Sequence, residues 1–156
     1  MARLCHAASF APVAISLHCE QILSLASALD PSRFAHLLLP FISNESSTAI
    51  VYPAAGAAHG DTHQLTRLLA LHSLSAAVTH LKSADLIKLL PELTSAILPH
   101  FSSPLVDIRK SVVFVLVEVY MKVGDTLYPY VKDLAASQRK LLTVYIERQM
   151  NRSSSH

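Results

Sequence analysis

The sequence predicts an all-α fold in which paired antiparallel helices stack as a solenoid. Hydrophobic residues make up 51% of the chain and charged residues 15%, with mean hydropathy +0.37, so it must bury most of itself rather than remain disordered. Three glycines, no tryptophan and 6% aromatics argue against glycine-rich β-architectures and aromatic nucleic-acid platforms, and the Leu/Ala/Ser-rich remainder favours helices. Pro40, Pro91 and Pro129 each sit inside an apolar, helix-like segment, at spacings of 51 and 38. The shorter spacing matches the roughly 40-residue period of a two-helix HEAT unit. A chain of 156 residues accommodates one such array.

The elements follow in order. Residues 1–30 read as an N-terminal helical segment that matches the repeats poorly, and residues 31–150 as the repeat domain. Asp30 with Pro31 is an N-cap with proline at the first helical position, opening a helix to about Ile42. Asn44, Ser46, Ser47, Pro53, Gly56 and Gly60 mark residues 43–60 as a lengthened loop, which accounts for the longer proline spacing. Asp61 with Gln64 predicts a capping-box start for a helix to about Leu81, with a seam of Leu71, Leu74, Val78 and Leu81. Ser83 is the expected cap of the next helix. Asp85 suits its first turn, and Leu86, Leu90, Leu93, Ile97 and Phe101 recur at helical spacing.

The stretch from Ser111 to Tyr120, SVVFVLVEVY, is β-branched enough to compete as a strand. Ser103-Pro104 upstream, Gly124 downstream and a span far beyond a usual strand of about five or six residues favour a helix. A helix apolar nearly all round is buried, so Val112, Val113, Leu116, Val119, Tyr120 and Val123 are expected in the core. A shift of 38 residues superimposes Leu74, Val78 and Leu81 on Val112, Leu116 and Val119. A short helix over 126–135 and a last one over 137–149, facing inward through Leu141, Val144 and Tyr145, complete the domain. Residues 151–156 are expected to be a disordered tail.

Charge and motif content narrow the function. Arg3 and Arg33 against Glu20, Asp30 and Glu45 leave residues 1–60 at −1, so the remainder carries +3 of the overall +2. That excess is small for a nucleic-acid or anionic-membrane binder. The uncharged stretch from Leu4 to Cys19 is interrupted by His6, Pro12 and His18, and Val112 to Val117 is cut by Glu118 and Lys122. Neither reads as an export signal or a span of about 20 apolar residues, so a soluble protein without membrane insertion is expected. Cys5 and Cys19 form no disulfide framework, which points to a reducing, cytoplasmic compartment. His59-Gly60-Asp61-Thr62-His63 is the densest group of ligand types, but no CxxC or HExxH completes a metal site, so no metal is expected. There is no GxSxG elbow, no P-loop and no cluster of carboxylates, and the reading is non-enzymatic, without catalytic residues or cofactor.

Residues 86–134, LIKLLPELTSAILPHFSSPLVDIRKSVVFVLVEVYMKVGDTLYPYVKDL, look like a HEAT unit followed by the next first helix. RKSVVFVLVEVY, Gly124, Tyr128-Pro129-Tyr130 and QRKLLTVYIERQ resemble the C-terminal domain of cytoplasmic-linker-associated proteins, the CLASP family. The resemblance runs from about Phe34 to Gln149 and is densest after Val106. It implies a TOG-like α-solenoid that docks adaptor proteins of the microtubule system at plus ends, spindles, kinetochores or the cortex. The upstream tubulin-binding TOG arrays and basic linkers of that family have no counterpart in these 156 residues.

The candidate partner-binding residues are Arg109, Lys110, Lys132, Arg139 and Lys140. Arg109 and Lys110 fall on the turn between paired helices, the edge that TOG domains turn toward tubulin. A structural role is favoured for Arg109, and Ser103 stands where the resemblance implies an acidic partner. Without the tryptophan common in tubulin-facing turns, direct tubulin contact is the weaker expectation. Lys122, Lys132, Arg139, Lys140 and Arg148 make a basic C-terminal end suited to steering an acidic partner. A generic HEAT-like scaffold without a cytoskeletal role is the alternative.

Overall fold

The computed structural model describes residues 30–43 and 59–154, with side chains at 30–43 and 64–154. All regular elements among them are helical: α1 Pro31–Ser43, α2 His59–His80, α3 Ser83–Ile97, α4 Val106–Val123, α5 Tyr128–Val131 and α6 Ala136–Ser153. Short 3-10 turns at Leu98–Ser102 and Gly124–Leu127 follow α3 and α4. The proposed N-terminal segment and most of the lengthened loop lie outside the described residues. His59 and Gly60, assigned to that loop from sequence, are helical.

The helices form two rows. In one, α1 packs on α3 and α3 on α5; in the other, α2 packs on α4 and α4 on α6. Cross-links fix the directions. The Ile42 carbonyl at the end of α1 accepts from Arg67 Nε early in α2 at 3.3 Å and from His100 Nε2 just beyond α3 at 2.6 Å. Helices α1 and α2 are therefore antiparallel, while α1 and α3 run the same way. In the second row His72 meets Ser111 and Thr79 meets Lys122, so α2 and α4 are parallel too. This is the repeat geometry that the 38-residue shift predicts, and its six seam residues are all buried, with at most 3% exposure.

The sequence reads the interior well and the helix ends less well. Ser32 N–H donates to Asp30 Oδ1 at 3.0 Å, as the expected N-cap requires. Leu86, Leu90, Leu93, Ile97 and Phe101 are buried together, and α1 and α3 continue through Pro40 and Pro91. Helix α4 is helical throughout despite its β-branched run, because burial between neighbouring helices outweighs propensity. Tyr120 and Val123 are only half-buried against that core.

Several ends are corrected. Helix α2 starts at His59, two residues before Asp61. Ser83 is not the cap of α3: Lys82 takes that place in extended conformation, and Ser83 Oγ instead donates to the Lys122 carbonyl at 3.1 Å. Helix α4 begins at Val106 rather than at Pro104, because Leu105 is extended at φ −81° and ψ 122° and takes the N-cap place. Ser103 Oγ then accepts from Leu105 N–H at 3.2 Å. The helix expected over 126–135 is confined to α5, preceded by the 3-10 turn. Helix α6 reaches Ser153, so the disordered tail is not found at residues 151–153.

The register of α6 is also corrected. Leu142 and Ile146 face the core at 4% and 6% exposure, whereas Leu141 is 43% exposed and Val144 and Tyr145 are half-buried. Two adjacent apolar stripes run along this helix, and packing on α4 selects the second. At the N-terminus of α6 the Gln138 side chain accepts from Ala135 N–H at 3.0 Å, and its amide donates to Ser102 Oγ at 3.2 Å. No described helix is long and apolar enough to cross a membrane.

A candidate partner-binding surface on the second row of helices

On helix α4 one outward stripe holds Lys110, Phe114, Glu118 and Met121, recurring at spacings of four, four and three. Phe114 thus shares a stripe with charged residues rather than with the seam of Val112, Leu116 and Val119. It is 46% exposed. Its ring meets Tyr145 of α6 edge-to-face, with centroids 5.8 Å apart and planes at 76°, the arrangement the aromatic quadrupole prefers. Arg148, one turn further along α6, lies over the Tyr145 ring at 5.8 Å. Exposed Leu141 stands one turn before Tyr145. Together these side chains form an apolar, aromatic ridge with cationic flanks.

A shallow cleft opens beside the ridge, between α2 and α4, lined by His72, Ser75, Ala76, Thr79, Ser111, Phe114 and Glu118. Ser111 Oγ donates to the Asp107 carbonyl at 2.9 Å, which leaves it to accept from His72 Nε2–H at 3.3 Å. Burial pushes the His72 imidazole below its ordinary pKa, opposed by the charge of Asp107. Among the described residues no group of three metal-ligating side chains converges, and the His59 to His63 side chains lie outside them.

The predicted site residues divide by what their donors already hold. Arg109 Nη1 donates to the Ser103 carbonyl at 2.6 Å and to the Pro104 carbonyl at 2.9 Å, closing the turn before α4. Lys110 is exposed and stands 4.0 Å from Asp107 on its own helix. Arg139 Nη1 donates to the Lys132 carbonyl at 2.9 Å, bracing the link between α5 and α6. Lys122, another member of the basic end, donates to the Thr79 and Leu81 carbonyls at 2.6 and 3.2 Å and caps the end of α2. Lys132 and Lys140 project exposed, with no ionic partner among the described residues. The five candidates fall in two groups along the chain, Arg109 with Lys110 at the start of α4 and Lys132 with Arg139 and Lys140 around the start of α6. Phe114, Tyr145 and Arg148 form the contiguous set.

No protein-family model matches the chain. It is 26% identical over 147 residues, 94% of its length, to a CLIP-associated protein of Arabidopsis thaliana. It is also 26% identical over 136 residues, 87% of its length, to CLIP-associating protein 1-B of Xenopus laevis. The chain is a CLASP-related region. A further relative, Protein CLASP-2 of Caenorhabditis elegans, is 29% identical over 89 residues, 56% of the chain. The CLASP-related region covers 9%, 8% and 9% of these three relatives, so it corresponds to a small part of each.

Proposed function

We propose that the CLASP-related region is a non-enzymatic protein-interaction module that docks adaptor proteins of the microtubule system, at plus ends, spindles, kinetochores or the cortex. On this reading it acts in the cytoplasm, on the cytoskeleton. The observation that carries the docking surface is exposed Phe114 paired with half-buried Tyr145, with Arg148 over the Tyr145 ring. Aromatic and arginine side chains are the residue types that dominate binding energy at protein interfaces. The occupant that fits is an amphipathic helix whose apolar residues lie along Phe114, Leu141 and Tyr145 while its acidic residues meet Arg148, Lys140 and Lys132. The names of the relatives support the cellular setting, since they are called CLIP-associated or CLIP-associating. Buried apolar contacts would supply most of the affinity, and the exposed cations mainly the rate of encounter.

The test is retention of identified microtubule-system proteins from a cytoskeletal extract by the chain and by its Phe114→Ser, Arg148→Glu double variant. Loss of those proteins with unchanged circular dichroism is the expected result. Equal retention by both forms would remove this surface from the proposal. Co-sedimentation of the purified chain with microtubules alone would instead assign direct tubulin contact.

A further inference from the structure

Among the described residues that line the cleft between α2 and α4, Glu118 is the one carboxylate. It is half-buried, yet no hydrogen bond or ion pair among the described residues holds it. The cations of its own helix are engaged elsewhere: Lys122 on the Thr79 and Leu81 carbonyls, Arg109 on those of Ser103 and Pro104, and Lys110 beside Asp107. Arg148 of α6 lies over Tyr145. His72 adds no charge at neutral pH, because desolvation pushes its pKa below the ordinary 6.5. The other groups of the cleft are electron-rich. Thr79 Oγ1 gives its proton to the Ala76 carbonyl at 2.7 Å, so only its lone pairs are left to an incoming group. Ser75, one turn before it, offers a second hydroxyl oxygen. Phe114, one turn before Glu118, forms the neighbouring wall, and an aromatic face is the negative side of the ring quadrupole.

We propose that this cleft receives an arginine side chain of the docked partner, its guanidinium over the Phe114 ring and against the Glu118 carboxylate, with Ser75 and Thr79 accepting its remaining N–H groups. Arginine suits the set better than lysine, because a planar guanidinium stacks on an aromatic face while its fork pairs with a carboxylate. The proposal rests on the docking reading of the aromatic ridge and adds to it a charge order for the partner. Helix α4 packs between α2 and α6, and Phe114 borders both the cleft and the ridge. A partner helix whose apolar residues cover Phe114, Leu141 and Tyr145 therefore has the cleft along one flank and the cations of α6 along the other. Its arginine stands on the flank opposite its acidic residues. A helix acidic on both flanks would set a like charge against Glu118 and is selected against.

N-acetyl-arginine amide, titrated into the full chain while the backbone amide signals are followed by NMR, tests the cleft without the partner. N-acetyl-citrulline amide has nearly the same shape without the charge and serves as the comparison. The arginine compound should give saturable shifts centred on residues 75–79 and 114–118. Its apparent Kd should be about three- to tenfold weaker in Glu118→Gln and unchanged in Asp133→Asn, which alters an exposed carboxylate elsewhere. Equal shifts by the two compounds, or shifts spread over the exposed carboxylates of the whole chain, would overturn the proposal whatever the fate of the ridge. In the cytoskeletal extract, Glu118→Gln should lower retention of the identified proteins that the Phe114→Ser, Arg148→Glu double variant loses. Full retention by Glu118→Gln alongside loss by the double variant would overturn the arginine site and leave the ridge standing. Full retention by both would remove the ridge and this occupant together.

Discussion

The α2–α4 pair and the α4–α6 pair are built by the same stacking, yet they use their apolar residues differently. Between α2 and α4 the facing apolar residues are buried, and Leu74, Val78, Val112 and Leu116 are all 0% exposed. Between α4 and α6 the last helix carries two apolar stripes, of which Leu142 and Ile146 go inward while Leu141 is left outside and Tyr145 half-covered. An interior helix has neighbours on several sides and spends its apolar surface on them. The end helix retains a surplus. Among the cations, Lys122, Arg109 and Arg139 are tied to backbone carbonyls, whereas Lys132 and Lys140 are not. The difference teaches that the apolar residues left exposed on α6 belong to a helix that, among the described residues, packs chiefly on one neighbour.

The contrast breaks most visibly if the seam is not the core. Leu116→Ala removes a fully buried side chain from α4 and should cost on the order of 2 to 5 kcal/mol by urea titration, through lost burial and the cavity left behind. A change of a few tenths would show that the seam is misplaced. The same measurement sharpens the register of α6. Leu142→Ala should cost about 2 kcal/mol or more, and Leu141→Ala no more than about 0.5 kcal/mol. Comparable losses at both positions would mean that α6 is rotated and the ridge is part of the core.

What was legible in the sequence follows from the same contrast. The seam of α2, the helical state of α4 and the Asp30 cap were readable because several independent signals, period, proline position and glycine, agree there. Helix starts were less readable, since Ser83 and Ser103 have the chemistry of caps but find other partners, one in a distant carbonyl and one in its own turn. The aromatic ridge was missed for a different reason. Phe114 sits in an apolar run and looks like core, and only its place on the Lys110–Glu118 stripe marks it as outward. The individual basic residues were visible, but whether each donor is already engaged depends on carbonyls as far away as Thr79 is from Lys122.

The end of α4 sharpens the comparison at a smaller scale. Gly124 has φ +57° and ψ −135°, a conformation that side chains with a Cβ rarely adopt, and a Cβ built there meets nothing within 4 Å. Gly124→Ala should therefore destabilise by about 1 to 2 kcal/mol through backbone strain rather than through a clash. Asparagine, which relieves the ordinary left-handed region, should recover little because ψ lies outside that region. A neutral Gly124→Ala variant by thermal melt would show that the turn leading into Tyr128-Pro129-Tyr130 is set by other contacts. One such contact is Tyr120, whose hydroxyl donates to Asp125 Oδ1 at 3.3 Å and whose ring meets Tyr128 edge-to-face with centroids 5.9 Å apart.

The smallest expected effect belongs to the α2–α4 cleft and depends on pH. Burial lowers the His72 pKa in the folded chain below its model-peptide value of 6.5, with Asp107 on α4 only partly opposing this. Below pH 6.5 the unfolded chain therefore binds more protons at this site than the folded one, and stability must rise with pH across that interval. The contribution is complete above 6.5, declines as the pH falls from 6.5 toward the lower folded value, and levels off beneath it. Because His72 is exposed at the edge of the cleft, water screens the charge and the change is modest. His72→Gln retains a donor for Ser111 without a titrating proton, so the urea midpoint of the histidine protein should gain on that of the variant as the pH rises through this window. Midpoints that stay parallel from about pH 5 to about pH 7.5 would show that the imidazole is as well solvated when folded as when unfolded. The second-row helices would then be less tightly apposed at Ser111 than their 3.3 Å contact indicates.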